Sequence, residues 1–576
     1  MNSENPPGRM EWRRSVLLPV ILAAAVYLFS TTSRGVTDYD EGYYSQAAKS
    51  MVETGDWVTP YVNGVRFLEK PPFLYWLTAA SFKVFGISEF ALRLPTALAV
   101  IALVWVTMGI AKRLADDRTA IIAGLSTAFC AGTYLFTRET LHDVWLVLFV
   151  AVAMYAFVAW HLDPLHSRRP AMLFYAATAG AVLCKSLVGL LFPVGIAAVF
   201  LLLSRKWPGL RTLHLVPGAL LFLLLTVPWH WLAAVRNQEF LDFYFVGEQF
   251  MRFFGKREPP VLWSLPVPIF WALVLVWLFP WTAFLPAAVA ASRKADSENG
   301  RTLARLALAW AGVILVFFSI SGRLEHYAFP ALPALSLFIA AALGSGESKW
   351  TLWAFRGLAA FGILALLFVA GAGIWFAAHG SEFSSAGPSN RLAETDFSIM
   401  AEMPPEVMWK LFKPAAVTAV ALAAGFLAAL WLERRHRRMK AVIALSAVMM
   451  AVCGTIHWSL LICEDLISSK KFAMAVAREA DRGDRLVVIG DYESANSLSF
   501  YTPLRVEVSG GLAYALVPGL KYPDAPNIVL TDEEFEAAWQ SGRRVFALVP
   551  KDRAGKLRPA GVEVLTVLHR MLVRNN

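Results

Sequence analysis

Residues 94–111 read LPTALAVIALVWVTMGIA, a run without a charged side chain that is closed by Lys112 and Arg113. At about 1.5 Å per residue, a helix of this length crosses most of the roughly 30 Å hydrocarbon core of a bilayer. Because 57% of the 576 residues are hydrophobic, only 17% are charged and the mean hydropathy is +0.52, one soluble core could not bury the apolar side chains. The sequence therefore predicts an all-α polytopic membrane protein.

About thirteen segments are long and apolar enough to serve as membrane spans. An apolar run from Val16 to Phe29 follows three arginines and no small-residue cleavage pattern comes after it, so we interpret it as a retained first helix. The predicted spans are residues 16–33, 90–111, 119–137, 143–161, 171–184, 187–203, 213–234, 266–290, 303–321, 328–344, 354–378, 414–432 and 439–460.

Short basic loops favour the cytoplasm, so their placement predicts the topology. With the N-terminus inside, the even-numbered connections carry Lys112-Arg113, Arg168-Arg169, Arg205-Lys206, Arg293-Lys294, Lys349 and the cluster from Arg434 to Lys440. An odd number of spans places the segments 34–89, 235–265 and 380–414 and the C-terminal tail outside. Almost every acid-containing motif falls in these segments or in short outer bends, so we expect the reactive side chains at the extracytoplasmic face of the membrane. The residues Gly380–Pro388 predict a mobile loop.

The chain changes character after residue 462, which divides a membrane domain, residues 1–462, from a tail, residues 463–576. Alternating and β-branched residues predict strands over 485–490, 505–509, 543–550 and 562–573. Thr531 and Glu534 have the spacing of a capping box at the start of a helix that continues to Gln540, with Gly542 as its stop. The tail is therefore predicted to be a small extracytoplasmic α/β domain.

Several classes of function are excluded by the composition and motifs. The four cysteines lack paired spacing, which argues against a zinc knuckle and a disulfide framework. The net charge of +10 is scattered among apolar helices, so no nucleic acid partner is expected. No HExxH, GxSxG or Walker motif occurs in a credible setting, which argues against a zinc peptidase, a serine hydrolase and an ATP-driven pump.

The first outer segment contains two groups of candidate residues. In Thr37-Asp38-Tyr39-Asp40-Glu41, the spacing of Asp38 and Glu41 predicts a capping box, an alternative structural role for Glu41. Asp40 has no such role, although the positive end of the following helix should favour its ionised form and weaken it as a proton acceptor. Further on, Glu69-Lys70-Pro71-Pro72 places an acid and a base beside two prolines; Lys70 either binds a lipid phosphate or extends its ammonium group to the membrane interface.

The other candidates lie at short bends and in one aromatic segment. Arg138-Glu139-Thr140-Leu141-His142-Asp143 crowds titratable side chains into one short connection, of which helix capping explains only one, such as Asp143. Lys185 interrupts an apolar stretch, where either a phosphate or snorkelling explains it. Glu248 and Arg252 are four residues apart and could form a surface pair. The remaining candidate phosphate ligands, in the bend from Ser321 to Tyr327, are Arg323 and Tyr327.

Taken in order, these motifs resemble the aminoarabinose transferase (ArnT) branch of bacterial membrane glycosyltransferases, relatives of the protein O-mannosyltransferases with a GT-C fold. The likeness covers nearly the whole chain. It is carried by Asp40-Glu41-Gly42, Gly55-Asp56-Trp57-Val58-Thr59-Pro60, Glu69-Lys70-Pro71-Pro72 with Tyr75-Trp76, Asp143, Lys185, Pro228-Trp229, Glu248 to Phe253, Phe279-Pro280-Trp281 and Tyr327.

The resemblance implies an extracytoplasmic cavity, a sugar donor linked to undecaprenyl phosphate, and inversion at the anomeric carbon. The candidate catalytic carboxyl groups are then Asp40, the principal acid, with Asp143 and Glu69. The groups that match the donor-phosphate ligands are Lys70, Lys185, Arg252 and Tyr327, with Arg323 added from the bend. Fixed cations there would stabilise the transition state, because negative charge grows on the phosphate as the sugar leaves. Supporting roles are expected for Glu41, Arg138, Glu139 and Glu248.

Two departures from typical aminoarabinose transferases leave parts of the prediction open. Gln249 stands where those proteins have histidine, and Ser321-Gly322-Arg323 replaces a Ser-Lys bend, with Glu325-His326 where proline is usual. Because Gln249 removes a candidate metal ligand, a divalent metal cation is only an alternative cofactor. The acceptor is open among lipid A, another glycan and a protein. A hydroxyl acceptor would need a base, whereas a lipid phosphate would already be anionic.

Two other functions compete with sugar transfer. A flippase or transporter for lipid-linked glycans also needs many helices and buried charges, but transporters usually show matched broken helices in repeated halves. An oligosaccharide ligase would use a larger lipid-linked donor. The asymmetric outer segments and the folded tail argue against a transporter. The resemblance implies that the partners are membrane lipids, a polyprenyl-phosphate sugar donor and a lipid or glycan acceptor.

Overall fold

The computed structural model describes residues 8–29, 31–205, 207, 209–254, 256, 264–294, 297–345, 348–383, 403–511, 513–557 and 561–575. Most of the predicted mobile loop Gly380–Pro388 and the adjoining residues to 402 lie outside these ranges. The helices up to residue 462 are α1 (Gly8–Phe29), α2 (Asp40–Thr54), α3 (Phe73–Phe85), α4 (Glu89–Leu114), α5 (Asp117–Ala128), α6 (Ala131–Leu135), α7 (His142–Leu162), α8 (Arg168–Lys185), α9 (Val188–Ser204), α10 (Leu215–Arg236), α11 (Val267–Trp277), α12 (Leu285–Arg293), α13 (Glu298–Ile320), α14 (Leu332–Gly344), α15 (Lys349–Phe383), α16 (Pro405–Arg434) and α17 (Arg438–Ile462).

The predicted membrane spans all coincide with these helices or with pairs of them. By length and composition, eight described helices could cross a membrane, or nine if Val267–Trp277 and Trp281–Arg293, which meet at 97°, form one span. Val188–Ser204 is a shorter apolar helix. Outward side chains such as Leu224 and Phe368 are 70% and 77% exposed, as expected for helices whose solvent is lipid. The all-α polytopic prediction is confirmed.

The tail folds around a six-stranded sheet. Its strands are β3 (Arg485–Ile489), β4 (Val506–Ser509), β5 (Val529–Leu530), β6 (Val545–Pro550), β7 (Val562–Val567) and β8 (Arg570–Arg574), in the order β5-β4-β3-β6-β8-β7. The helices are α18 (Glu464–Ile467), α19 (Lys470–Glu479), α20 (Leu498–Tyr501), α21 (Val517–Leu520) and α22 (Asp532–Trp539). Strands β3 to β6 are parallel and β7 and β8 form an antiparallel hairpin.

The structure confirms the predicted strands with one refinement. The stretch 562–573 is a hairpin and not a single strand, because Leu568 adopts a φ of 54° and turns the chain. The capping box of Thr531 and Glu534 is present. The short strand β5 and a small hairpin, formed by β1 (Tyr61–Val62) and β2 (Val65–Arg66), were not predicted from the sequence.

One hydrophobic core joins the first outer segment to the tail. Side chains of α2 and α3, such as Tyr43 and Tyr75, are buried in the same cluster as Phe472, Tyr492 and Phe546 of the tail. Both parts therefore lie at the same end of the helix bundle. The buried side chains between the long helices form a separate core.

Candidate active site

A cavity of about 920 Å³ lies at the junction of the first outer segment with α8, α9 and α13. On α9 its wall extends from Val188 to Ala198, so it follows that helix for roughly 15 Å. This wall is apolar, and Phe317 and Phe318 of α13 continue it. The polar lining residues are Glu69, Lys70, Lys185, Ser186, Glu248, Gln249, Arg252, Ser264, Ser321, Arg323 and Tyr327. The cavity is thus a long apolar groove with charged groups along part of its wall.

Tyr327 connects the cations of this site. The Arg252 guanidinium donates to the Tyr327 hydroxyl at 3.0 Å, and the Lys185 ammonium lies 4.6 Å from the centre of the Tyr327 ring. Arg252 also contacts Glu248 at 3.0 Å and Glu69 at 3.6 Å. The structure therefore brings together side chains from four distant segments, which the sequence could only propose one by one.

Two lysines of the site are paired with carboxylates. Lys70 lies 2.6 Å from Glu69, its neighbour in the chain, and Lys185 lies 2.5 Å from Asp143. His326, which the sequence did not single out, has its Nε2 3.9 Å from Asp143. Such pairing allows cations to remain charged in a partly buried site, since a single buried charge without a partner is costly.

Asp40 is the first residue of α2 and follows Tyr39, whose φ of 68° is unusual for a side chain of this size. The Asp40 carboxylate is half-buried, and no hydrogen bond or ion pair joins it to another residue of the described ranges. Burial and the nearby Glu69 carboxylate raise the pKa of Asp40, against the opposing effect of Lys70. The expectation that the helix end would make Asp40 a weaker proton acceptor is therefore wrong, because burial dominates.

The contacts of Glu41 indicate a structural role. It is fully buried and accepts hydrogen bonds from Arg93 of α4 at 2.6 and 2.8 Å and from the Thr37 N–H at 3.0 Å. Burial alone would raise the pKa of Glu41, but Arg93 more than offsets it and lowers the pKa to about 2. The predicted capping box of Asp38 with Glu41 is wrong, since Tyr39 occupies the N-cap position and makes no side-chain cap bond.

Arg138 and Glu139 do not line the cavity. The Arg138 guanidinium packs over the rings of Tyr27 and Tyr134, at 5.1 and 4.2 Å from their centres, and donates to the Tyr134 carbonyl. Glu139 is half-buried, and burial raises its pKa to about 7 against the opposing charge of Arg34. Arg138 therefore packs against α1 and α6, and Glu139 lies near Arg34 outside the cavity wall.

Arg323 lines the cavity, yet much of its hydrogen-bonding capacity is used within the protein. Its guanidinium donates to the Leu265 carbonyl at 2.6 Å and to the Ser319 and Ser321 carbonyls at 3.0 Å each. These bonds hold the end of α13 against the segment before α11. Arg323 is consequently less available to a ligand than Lys70, Lys185 or Arg252.

The described residues offer no metal site that would fit the alternative cofactor. No group of three His, Cys, Asp or Glu side chains in these parts of the chain could hold an ion together. Glu69 and Glu248 both face Arg252, and the neighbouring Gln249 supplies an amide in place of a stronger ligand.

Sequence comparison with known proteins matches part of the chain, and structural comparison matches nearly all of it. The family model for dolichyl-phosphate-mannose-protein mannosyltransferase matches residues 69–231. An undecaprenyl phosphate-alpha-4-amino-4-deoxy-L-arabinose arabinosyl transferase of Pseudomonas aeruginosa is 29% identical over 343 residues, which are 58% of this chain. This match covers 60% of the length of that relative.

Among solved structures, ArnT from Cupriavidus metallidurans bound to undecaprenyl phosphate superimposes with a TM-score of 0.82 at 26% identity, over 97% of this chain and 98% of that one. The apo oligosaccharyltransferase of Archaeoglobus fulgidus has a TM-score of 0.51 at 13% identity, over 95% of this chain and 70% of that one, and shares the fold alone. These matches confirm the resemblance to ArnT-like membrane glycosyltransferases: the chain shares the GT-C fold of ArnT over nearly its whole length, and its sequence is similar to the arabinosyl transferases and to part of the mannosyltransferase family model.

Proposed function

We propose that this protein is an inverting glycosyltransferase that moves a sugar from a polyprenyl-phosphate carrier to an extracytoplasmic acceptor. The observation that supports it is the convergence of Lys185 and Arg252 on Tyr327 in an otherwise apolar groove. An isoprenoid chain needs a long apolar surface, and its phosphate needs cations that can be reached from that surface. The undecaprenyl phosphate named for the Cupriavidus structure is a lipid of this kind.

The cations have a direct role in the proposed chemistry. In the donor, the phosphate that carries the sugar is a diester with one negative charge, and departure of the sugar leaves a monoester with a second. Lys70, Lys185 and Arg252 would stabilise that growing charge more than the ground state, which lowers the barrier. Because each is already close to a carboxylate, the incoming phosphate would share these cations with Glu69, Asp143 and Glu248.

Asp40 has the properties of a group that acts on the acceptor. Its carboxylate has no partner within the described part of the chain, and its raised pKa makes it a stronger proton acceptor than an exposed aspartate. We assign it the role of base toward an acceptor hydroxyl, with direct attack on the anomeric carbon and inversion there. Candidate acceptors are lipid A, another glycan and a protein. The N-terminus would lie in the cytoplasm and the tail domain, residues 463–576, outside the inner membrane.

The test is transfer from radiolabelled polyprenyl-phosphate sugars by the purified protein in nanodiscs. Lys185→Ala should lower the rate by about 100- to 1,000-fold, the typical loss when one stabilising group is removed, and Asp40→Asn should also abolish most transfer. Lys112→Ala is the matched control, since Lys112 forms a similar 2.7 Å pair with Asp117. Lys112 lies in the last turn of α4, whereas Arg93, which contacts Glu41, lies near the first turn. If no donor is consumed but lipid-linked glycans cross the bilayer, the protein is a flippase.

A further inference from the structure

The backbone before Asp40 is held by the tail domain. The Asp38 carboxylate accepts hydrogen bonds from the Ser497 N–H and the Ser469 hydroxyl, both at 2.9 Å, and lies 3.7 Å from the Arg570 guanidinium. The Asp38 side chain is only 3% exposed and that of Arg570 only 11%. Two residues before the proposed base, the chain is therefore fixed by a buried ionic contact.

Arg570 is itself rigidly placed. Its guanidinium donates to the Ser469 hydroxyl at 3.0 Å and to the carbonyls of Ser494, Asp465 and Ser468 at 3.1 Å each. The acceptors belong to two separate segments of the tail domain, residues 465–469 and Ser494, so the arginine cannot move without disturbing both. Asp38 thus contacts a cation that several hydrogen bonds within the tail domain hold in place.

Tyr39 is held in the same way. Its N–H donates to the Glu493 carbonyl at 3.2 Å, and its carbonyl accepts from the Asn496 side chain at 2.8 Å. A φ of 68° with a ψ of −128° costs free energy for any residue with a Cβ, and such a conformation persists only when its surroundings impose it. The first turn of α2 also packs tightly against the tail domain, since a Cβ on Gly42 would lie 2.0 Å from Asn496 Oδ1.

The contacts come from the edge of the sheet where α/β domains usually bind ligands. Ser497 follows the carboxyl end of β3, and Arg570 pairs with Pro550 at the carboxyl end of β6. From β3 the chain continues to β4 and β5 on one side and then crosses to β6 on the other side, so the boundary between β3 and β6 is a topological switch point.

On the other side, Glu41 is joined to Arg93 of α4 in the helix bundle. Asp40 therefore lies between one anchor to the tail domain and one anchor to the membrane part. Its own side chain has no partner among the described residues, so its direction is determined by its neighbours.

We propose that the tail domain positions Asp40 for catalysis through the contact of Asp38 with Arg570. Asp38 and Arg570 are positioning residues, and the inference rests on the role proposed above for Asp40. Loss of the anchor should relax the turn at Tyr39 and misdirect the Asp40 carboxylate, while the cations that hold the donor phosphate stay in place.

The test compares Arg570→Met with Arg574→Met, a matched control on the same strand whose partner is Glu479 at 3.4 Å. Arg570→Met should lower kcat about 10- to 100-fold, the loss expected for a displaced catalytic group, with the donor KM changed by less than about twofold. Arg570→Lys, which retains the charge, should recover part of the rate. Arg574→Met should change neither constant.

Hydrogen exchange measures the same anchor without relying on activity. Amides of residues 36–44 should exchange faster in Arg570→Met than in Arg574→Met, while α4 and α7 are unchanged. Equal exchange in the two variants, or a kcat unaffected by Arg570→Met, would overturn the inference. A wild-type protein that transfers no sugar would instead reject the proposed function, and the exchange result would still decide whether the anchor exists.

Discussion

Three acids within four residues have three different environments. Asp38 is bound by the tail domain, Glu41 is paired with Arg93, and Asp40 alone is unpaired within the described ranges. The same residue type can therefore be an anchor, as Asp38 is, or remain available for the reactive role proposed for Asp40, depending on what packs against it. Burial raises the pKa of Asp38 to about 6 even with Arg570 nearby, whereas it fails to raise that of Glu41, which has a closer arginine.

The raised pKa of Glu139 predicts that the stability of the protein depends on pH. Its pKa is raised by burial from an ordinary 4.5 to about 7, so between these values the folded protein holds a proton that the unfolded chain releases. The contribution of Glu139 to stability should therefore fall as the pH rises from about 4.5 to 7, and Glu139→Gln should remove this contribution while that of Asp38, whose pKa is also raised, remains. Unfolding temperatures in detergent at pH 5 and pH 8 measure the effect. Glu536→Gln, at an exposed position of α22, is the control, and parallel curves for wild type and Glu139→Gln would contradict the prediction.

At the scale of elements, α9 forms the apolar side of the groove. Val194 lines it about two turns below the charged groups, where an isoprenoid chain would lie. Val194→Trp should raise the KM for a long-chain donor and leave that for a short-chain, water-soluble analogue unchanged, because only the long chain reaches the new indole. Val316→Trp, on α13 and outside the cavity lining, serves as the control. Equal effects on both donors would show that the groove does not hold the chain.

The crossing of α8 and α9 depends on Gly189. A Cβ at this position would lie 2.2 Å from the carbonyl carbon of Ala181, so the two helices would have to separate. Gly189→Ala should cost about 1–3 kcal/mol of stability and raise the donor KM, since Lys185 ends α8. Gly312→Ala on α13, where a Cβ would meet nothing within 4 Å, should leave both quantities nearly unchanged. The measurements are the unfolding temperature and donor titration, and similar results for the two variants would contradict the packing argument.

At the scale of the whole molecule, the site is assembled from parts that are far apart in the chain. The groove belongs to the helix bundle, Asp40 belongs to the first outer segment, and the anchor for that segment belongs to the tail domain. The proposed catalytic unit therefore requires both domains. This arrangement explains how one hydrophobic core can contain side chains of α2, α3 and the tail sheet together.

The sequence by itself determined the membrane class, the thirteen helical segments, the strands of the tail and the likeness to a known family. These features follow from local patterns: an apolar run is long enough to span a bilayer, or side chains alternate as in a strand, whatever the distant parts of the chain do. The capping box at Thr531 was predictable for the same reason, because both of its residues lie within one turn.

Only the tertiary structure decided which charged residues are paired and which are available. The Asp38–Glu41 capping box had the correct spacing and was wrong, because Arg93 and the tail domain provide stronger partners than the helix end does. Arg323 and Lys185 looked alike as isolated cations at bends, yet Arg323 binds backbone carbonyls and Lys185 faces Tyr327. Burial and long-range pairing set these outcomes, and both depend on elements that the chain brings together only when it folds.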